Sequence, residues 1–150
     1  MNTELQNILL VEDDPNDVEL TIRALQEHNL ANKVAVAHDG AEALDYLYRR
    51  GQFETRAGGN PIVVLLDLKM PKVNGLEVLR QMKTDQQLRM IPVVVLSSSR
   101  EQPDLVGCYK LGVNAYVVKP VDFADFVKAV KQLGIFWAVI NEPPPSTGGG

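Results

Sequence analysis

The strongest constraint on the fold is a regular alternation of short apolar runs with amphipathic segments. Two runs, IVVLL (62–66) and PVVVL (92–96), contain no polar residue, as expected of central parallel strands covered on both faces. Further runs at 7–11, 33–37 and 115–118 bring the predicted strands to five. Strands that alternate with helices form right-handed βαβ units. The sequence therefore predicts an α/β domain with a doubly wound, five-stranded parallel sheet of flavodoxin-like (βα)5 topology, strand order 2-1-3-4-5.

The segments between the strands show helical patterns with defined starts. The first predicted helix covers residues 15–28, with Asp14 as N-cap and Pro15 at its first position. Asp17 is assigned to the helix dipole in the first turn. The other predicted helices cover residues 41–50, 75–83, 102–111 and 122–140, and a Gly-rich loop covers 52–61.

Length and composition indicate one domain. We predict that it spans residues 1–142 and that the Pro- and Gly-rich tail, 143–150, is disordered. The net charge of −4 provides no basic field that would attract nucleic acid or anionic lipid. Cys108 is the single cysteine, which excludes an internal disulfide and suits a reducing compartment. With neither a signal-peptide pattern nor a run of membrane-spanning length, the expected location is the cytoplasm, away from membranes.

Polar residues follow four of the five predicted strands at the point where each strand ends. Glu12 and Asp13 follow the first strand, Asp67 the third, Ser97 the fourth and Lys119 the fifth. In the order 2-1-3-4-5 the first and third strands are neighbours. The three acids should therefore converge at the carboxyl edge of the sheet, where such folds bind ligands, with Ser97 and Lys119 beside them.

This combination of groups suits phosphoryl transfer. Three carboxylates that meet need positive charge, which Lys119 and a hard cation such as Mg²⁺ supply. Asp67 is the best nucleophile because it stands alone after the most buried strand. Taken singly, each residue has an ordinary interpretation: Glu12 and Asp13 equally suit solvation of the rim, and Ser97 commonly ends a strand. The functional interpretation depends on complementary groups at four strand ends at once.

Four segments occur in a characteristic order and spacing: ILLVEDD (8–14), VVLLDLKMPKVNGLEVL (63–79), IPVVVLSSS (91–99) and LGVNAYVVKP (111–120). In these segments the sequence resembles the receiver domain of two-component response regulators. The resemblance implies that Asp67 is the phospho-accepting aspartate and Asp13 a direct Mg²⁺ ligand. Glu12 would act through water or as a pocket acid.

The same resemblance assigns the remaining site residues. The backbone carbonyl of Lys69 would complete the protein's metal ligands, Ser97 would be the switch hydroxyl, and Lys119 would bind the phosphoryl group. The Lys119–Pro120 peptide bond would be cis. Tyr116 would be the aromatic whose rotamer reports the state of the site, the alternative being a half-buried strand residue.

A narrower resemblance is to stand-alone regulators paired with phytochrome-type sensor kinases. It rests on the Gly-rich loop before the third strand, on VVKPVDFADFVKAV (117–130) and on IFWAVINEPP (135–144). Departures from the wider family are mild. Glu12 stands where many relatives have Asp, Ser98 where many have Ala, and Val121 where many have Phe, so we expect function to survive.

The resemblance implies a phospho-switch and not an enzyme, beyond its own phosphorylation and slow dephosphorylation. A sensor histidine kinase would phosphorylate Asp67, drawing Ser97 and Tyr116 inward and shifting the surface of the fourth helix, fifth strand and fifth helix. Three alternatives compete. An aspartyl phosphatase of the haloacid dehalogenase type would need an acid where Lys69 stands, and a flavin module would need a phosphate-binding loop where the chain is acidic. A pseudo-receiver adaptor would not need the complete residue set.

The apolar residues at the end of the predicted fifth helix suggest a surface for contacts. They predict either a homodimer surface or a kinase-docking patch, the alternative being that this segment folds back on its own domain. The residues concerned are Ile135, Phe136, Trp137 and Ile140.

Overall fold

The computed structural model describes residues 7–26, 33–70, 74–98, 103–113 and 115–134. Strands and helices alternate along the chain, as the sequence predicts. In chain order the elements are β1 (Ile8–Val11), α1 (Pro15–Gln26), β2 (Val34–Ala37), α2 (Gly40–Tyr48), a short 3₁₀ helix (Gly51–Phe53), β3 (Val63–Asp67), α3 (Gly75–Thr84), β4 (Val93–Ser97), α4 (Pro103–Lys110), β5 (Tyr116–Val118) and α5 (Phe123–Gln132).

The five strands form one parallel sheet in the order β2-β1-β3-β4-β5. This confirms the predicted flavodoxin-like topology. Val11 at the end of β1 pairs with Ala37 of β2 and Leu66 of β3. Asp67 at the end of β3 pairs with Leu96 of β4. The carboxyl ends of the central strands therefore lie side by side.

Helices cover both faces of the sheet, which explains why the central strands are apolar throughout. β1, β3 and β4 are buried at every residue. Leu9 of β1 packs into a core with α2, α3 and Cys108 of α4. Leu10 points the other way and packs into a second core with Leu25 of α1 and Phe126 of α5. The alternation of adjacent strand residues between two cores confirms the doubly wound prediction.

Side-chain caps define several helix starts. The carboxylate of Asp14 accepts hydrogen bonds from the backbone N–H groups of the second and third residues after it, and Pro15 begins α1, as predicted. The N-caps of α2, α3 and α5 are Asp39, Asn74 and Asp122, each accepting from the backbone N–H three residues later. These caps satisfy backbone donors that have no partner within the helix.

The second helix ends earlier than predicted. Its last residue is Tyr48, not residue 50, because Arg49 adopts the left-handed conformation (φ 55°) and its N–H bonds back to the last turn. The following loop was predicted to lack regular structure but begins with a turn of 3₁₀ helix. Arg56 holds this loop against α2 by lying 4.1 Å from the centre of the Tyr46 ring and donating to the Tyr46 carbonyl.

The prediction of one continuous helix over 122–140 was wrong. α5 ends at Gln132, because Gly134 adopts φ 74° and its N–H donates to the carbonyl of Lys131. Residues 135–140, with their predicted contact surface, and the tail 143–150 lie outside the described residues. None of the helices formed by the described residues has the length and apolar character of a membrane span.

Candidate functional site

The carboxyl edge of the sheet holds a cleft of about 220 Å³. Carboxylate oxygens of Glu12, Asp13 and Asp67 lie within 4.8 Å of one another there. Two of these acids follow β1 and the third ends β3, so the central position of β1 beside β3 brings them together. The cleft is lined by Glu12, Asp13, Asp14, Asp17, Asp67, Lys69, Ser98 and Lys119.

Lys119 reaches into this acidic group from the end of β5. Its Nζ lies 3.0 Å from Oε1 of Glu12, 3.1 Å from Oδ2 of Asp67 and 3.1 Å from Oδ2 of Asp17. Its backbone N–H donates to the carbonyl of Ser97, at 2.7 Å, which fixes the start of the side chain. The Lys119–Pro120 peptide bond is cis, as the family resemblance implied. Lys119 is therefore the common cationic partner of three carboxylates.

The charge state of Lys119 follows from these contacts. Burial lowers the pKa of the ammonium group, but its hydrogen bond to Glu12 and the negative charge of Asp67 raise it more strongly. The net direction is upward from the ordinary lysine value of 10.5. Lys119 therefore remains positively charged at physiological pH.

The surroundings of Glu12, unlike those of Lys119, favour its neutral form. Its side chain is fully buried, and burial, followed by the hydrogen bond and charge of Asp67, raises its pKa from 4.5 to about 7. The contact with Lys119 opposes this shift without cancelling it. One lysine is thus not enough to keep every carboxylate ionised, and the site favours further positive charge.

The raised pKa of Glu12 predicts an unusual pH dependence in cation-free protein. The native state binds more protons than the unfolded chain between pH 4.5 and about 7. The free energy of unfolding should therefore fall as pH rises through this window. Urea unfolding in the presence of a chelator, repeated across this range, measures the slope. Glu12→Gln should remove the contribution, and an unchanged slope in that variant would contradict the assignment.

Asp67 is held in a fixed orientation at the end of β3. Its side chain is only 5% exposed. Oδ1 accepts a hydrogen bond from the backbone N–H of Lys69 at 3.2 Å, while Oδ2 faces Lys119. Lys69 also lines the cleft, and the metal-ligand role of its carbonyl stays a prediction.

Gly75, the first residue of α3, lies against the backbone of Asp67. A Cβ placed on Gly75 would lie 2.6 Å from Cα of Leu68 and 2.9 Å from the carbonyl carbon of Asp67, well inside van der Waals contact. The Gly75 N–H donates to the carbonyl of Leu68 at 3.1 Å. Glycine therefore allows α3 to start directly against the residue that ends β3.

The predicted switch residues occupy the neighbouring strands. Ser97 ends β4 and is almost fully buried, whereas the next residue, Ser98, is exposed and lines the cleft. Tyr116 begins β5 and packs, partly buried, against the core formed with α2, α3 and α4. Ser97 thus ends the strand next to β3, Tyr116 lies one strand further along the sheet, and their switching roles stay predictions.

The sequence prediction left Asp17 out of the site. Asp17 was assigned to the helix dipole alone, yet its carboxylate lies 3.1 Å from Nζ of Lys119. The sequence does contain an indication of this role: Asp17 lies in the first turn of α1, and that helix begins only three residues after Glu12. A side chain in that turn can reach back to the edge of the sheet.

The donor atoms of the cluster fit a hard divalent cation. Glu12, Asp13 and Asp67 offer only carboxylate oxygens, the ligand type that magnesium, calcium and manganese prefer. Burial and then the neighbouring Asp67 raise the pKa of Glu12, so a bound cation would favour its ionised form. The residues present therefore suit a metal ion of this class.

Fold and site together define a protein that presents buried carboxylates and a charged lysine at the carboxyl edge of a flavodoxin-like sheet. Residues 8–131 match the response regulator receiver domain family. The chain therefore belongs to that family of two-component signalling proteins.

Curated relatives cover most of the chain. The probable methanogenesis regulatory protein FilR2 of Methanothrix harundinacea is 40% identical over 139 residues, which is 91% of this chain and 86% of the relative. The response regulator Rcp1 of Synechocystis is 36% identical over 130 residues, 87% of each chain. The matched region therefore covers most of each relative as well as most of this chain.

Solved structures show the same relationship. The bacteriophytochrome response regulator AtBRR is 62% identical with a TM-score of 0.86, over 93% of this chain and 99% of that one. The phosphorylated cyanobacterial phytochrome response regulator RcpA is 36% identical with a TM-score of 0.73, over 95% and 100%. The Mn²⁺-bound form of Rcp1 is 34% identical with a TM-score of 0.72, over 94% and 99%. The narrower resemblance to phytochrome-associated regulators is thus confirmed.

Proposed function

We propose that this protein is a cytoplasmic phospho-switch, which accepts a phosphoryl group on Asp67 from a sensor histidine kinase in a Mg²⁺-dependent reaction. The observation that carries the proposal is the placement of Asp67. Its buried carboxylate lies 3.1 Å from the Lys119 ammonium and within 4.8 Å of the carboxylates of Glu12 and Asp13. The proposed nucleophile therefore lies beside a lysine cation and beside the acids that would bind the metal.

The chain's residues suit in-line attack by Asp67. A carboxylate oxygen of Asp67 forms the new O–P bond while the P–N bond to the kinase histidine breaks, and the bonding electron pair stays on the departing imidazole nitrogen, which takes up a proton. The N–H of Lys69 holds Oδ1 at 3.2 Å, which orients the group. Lys119 neutralises charge on the phosphoryl oxygens. Glu12, Asp13, Asp67 and the Lys69 carbonyl would hold Mg²⁺, which supplies further neutralisation of the phosphoryl charge.

Relatives support the proposal. RcpA has been solved as a phosphorylated protein and Rcp1 with a bound divalent metal. AtBRR and RcpA are named for bacteriophytochrome and phytochrome signalling, which supports a phytochrome-type kinase as the partner here. In the proposed switch, the phosphoryl group draws in the Ser97 hydroxyl and the Tyr116 ring and shifts the α4-β5-α5 surface. The chain acts on partners through that surface and not as an enzyme on a separate substrate.

A small phosphodonor tests the reaction directly. Incubation of the purified protein with acetyl phosphate and Mg²⁺ should add the mass of one phosphoryl group, measured by intact-protein mass spectrometry. A chelator in place of Mg²⁺ should prevent the addition, because the acidic cluster would then repel the anionic donor. Equal modification with and without Mg²⁺ would contradict the metal role. Rapid turnover of the donor without a retained phosphoryl group would instead indicate a phosphatase.

A further inference from the structure

Lys119 has a third carboxylate partner that phosphoryl transfer as proposed above does not use. Its Nζ donates to Glu12 at 3.0 Å, to Asp67 at 3.1 Å and to Asp17 at 3.1 Å. An ammonium group has three N–H donors. In this state each of them therefore faces a carboxylate, and any new acceptor must displace one.

The three partners differ in their access to water. The side chains of Glu12 and Asp67 are 0% and 5% exposed, while that of Asp17 is 35% exposed. A buried carboxylate that loses its donor keeps the full desolvation penalty, whereas an exposed one recovers hydrogen bonds from water. Asp17 is therefore the partner that Lys119 releases at the lowest cost.

A phosphoryl group on Asp67 would be a new hydrogen-bond acceptor for Lys119. It presents three strong acceptor oxygens and a charge of about −2 in place of one carboxylate charge. One N–H of Lys119 passes to it from Asp67 itself. A second can come from Asp17, because its partly exposed carboxylate can accept hydrogen bonds from water in place of the one from Lys119.

From this geometry we propose that Asp17 is a positioning residue. It competes with the phosphoryl group for the N–H donors of Lys119 and so weakens the noncovalent binding of that group in the site. The inference rests on the proposed function, since it concerns phosphoryl binding at the same lysine. It also links two elements, because Asp17 belongs to the first turn of α1 while Lys119 follows β5. Breaking the pair frees that turn of α1 from the end of β5.

The affinity for beryllium fluoride, an aspartyl-phosphate mimic, tests the competition. Calorimetric titration at saturating Mg²⁺ should show tighter binding by Asp17→Asn and Asp17→Ala than by wild type, by about threefold to tenfold for a partly exposed charged hydrogen bond. Mg²⁺ binding without the mimic should not strengthen, since a negative charge near the acidic cluster is lost. If Asp17 only supported the local structure, its removal would weaken the binding of both beryllium fluoride and Mg²⁺.

Glu19→Gln provides the matched control. Glu19 is an exposed acid on the same helix and pairs with Arg23, so its loss removes one charge from α1 without touching Lys119. This variant should bind the mimic within about twofold of wild type, because exposed charges are screened. Equal tightening in Glu19→Gln, or mimic binding by both Asp17 variants no tighter than wild type, would overturn the inference. Failure of wild type itself to bind the mimic would instead overturn the proposed phosphorylation.

Discussion

Asp67→Asn should be unable to accept a phosphoryl group from acetyl phosphate or to bind beryllium fluoride. The amide that replaces the carboxylate is neutral and a poor nucleophile. The substitution also removes one of the three acids whose oxygens lie within 4.8 Å of one another, so metal binding should weaken. Intact-protein mass spectrometry after incubation with Mg²⁺ and acetyl phosphate measures the first effect, with wild type as the positive reference.

Asp45→Asn is the control for this substitution. It makes the same chemical change at a partly exposed acid of α2 that pairs with Arg50, away from the cleft. We expect it to be phosphorylated as fully as wild type. Phosphorylation of Asp67→Asn at the wild-type rate would show that another acid of the cluster accepts the phosphoryl group. A thermal unfolding curve for each variant shows that loss of modification is not loss of fold.

Gly75→Ala should destabilise the protein, although a glycine-to-alanine change in a helix usually stabilises it. The added methyl would lie 2.6 Å from Cα of Leu68 and 2.9 Å from the carbonyl carbon of Asp67. These atoms belong to the backbone and cannot swing aside. The helical preference for alanine contributes up to about 1 kcal/mol of stability. Overpacking costs about 1–3 kcal/mol, and we expect the upper end of that range here because the contacted atoms are backbone. The steric clash therefore outweighs the helical preference, and urea unfolding should show a lower free energy of unfolding for Gly75→Ala than for wild type.

The same substitution should impair phosphorylation in whatever protein remains folded, because the backbone that must shift is that of Asp67. Gly59→Ala is the matched control, since a Cβ there meets no atom within 4 Å. Its free energy of unfolding should change by less than about 1 kcal/mol, as for an exposed loop position. Similar destabilisation by both substitutions would show that the packing of α3 against β3 is not the cause.

The sheet could be predicted from the sequence because its central strands are apolar on both faces. Runs such as 62–66 suit burial between two layers of helices and little else. Strand order 2-1-3-4-5 then places the ends of β1 and β3 side by side. The meeting of Glu12, Asp13 and Asp67 follows from strand order alone, without detailed packing.

Features that depend on how the helices pack could not be predicted in this way. The contact between Asp17 and Lys119 requires the first turn of α1 to lie beside the end of β5, and hydrophobic periodicity does not specify that placement. The end of α5 was missed because the apolar pattern continues beyond Gly134, whose left-handed conformation ends the helix. Similarly, three consecutive serines give no indication that Ser98, and not Ser97, lines the cleft.

The separation of the paired groups along the chain has a consequence for biosynthesis. Glu12 and Lys119 are 107 residues apart, and their contact requires β5 to have joined the sheet beside β4. Contacts of such long sequence separation form late, since loop-closure entropy must be overcome first. A nascent chain still lacking its last strand has every acid of the cluster but not its lysine. Competence to receive a signal should therefore arise only when synthesis and folding of the whole domain are complete.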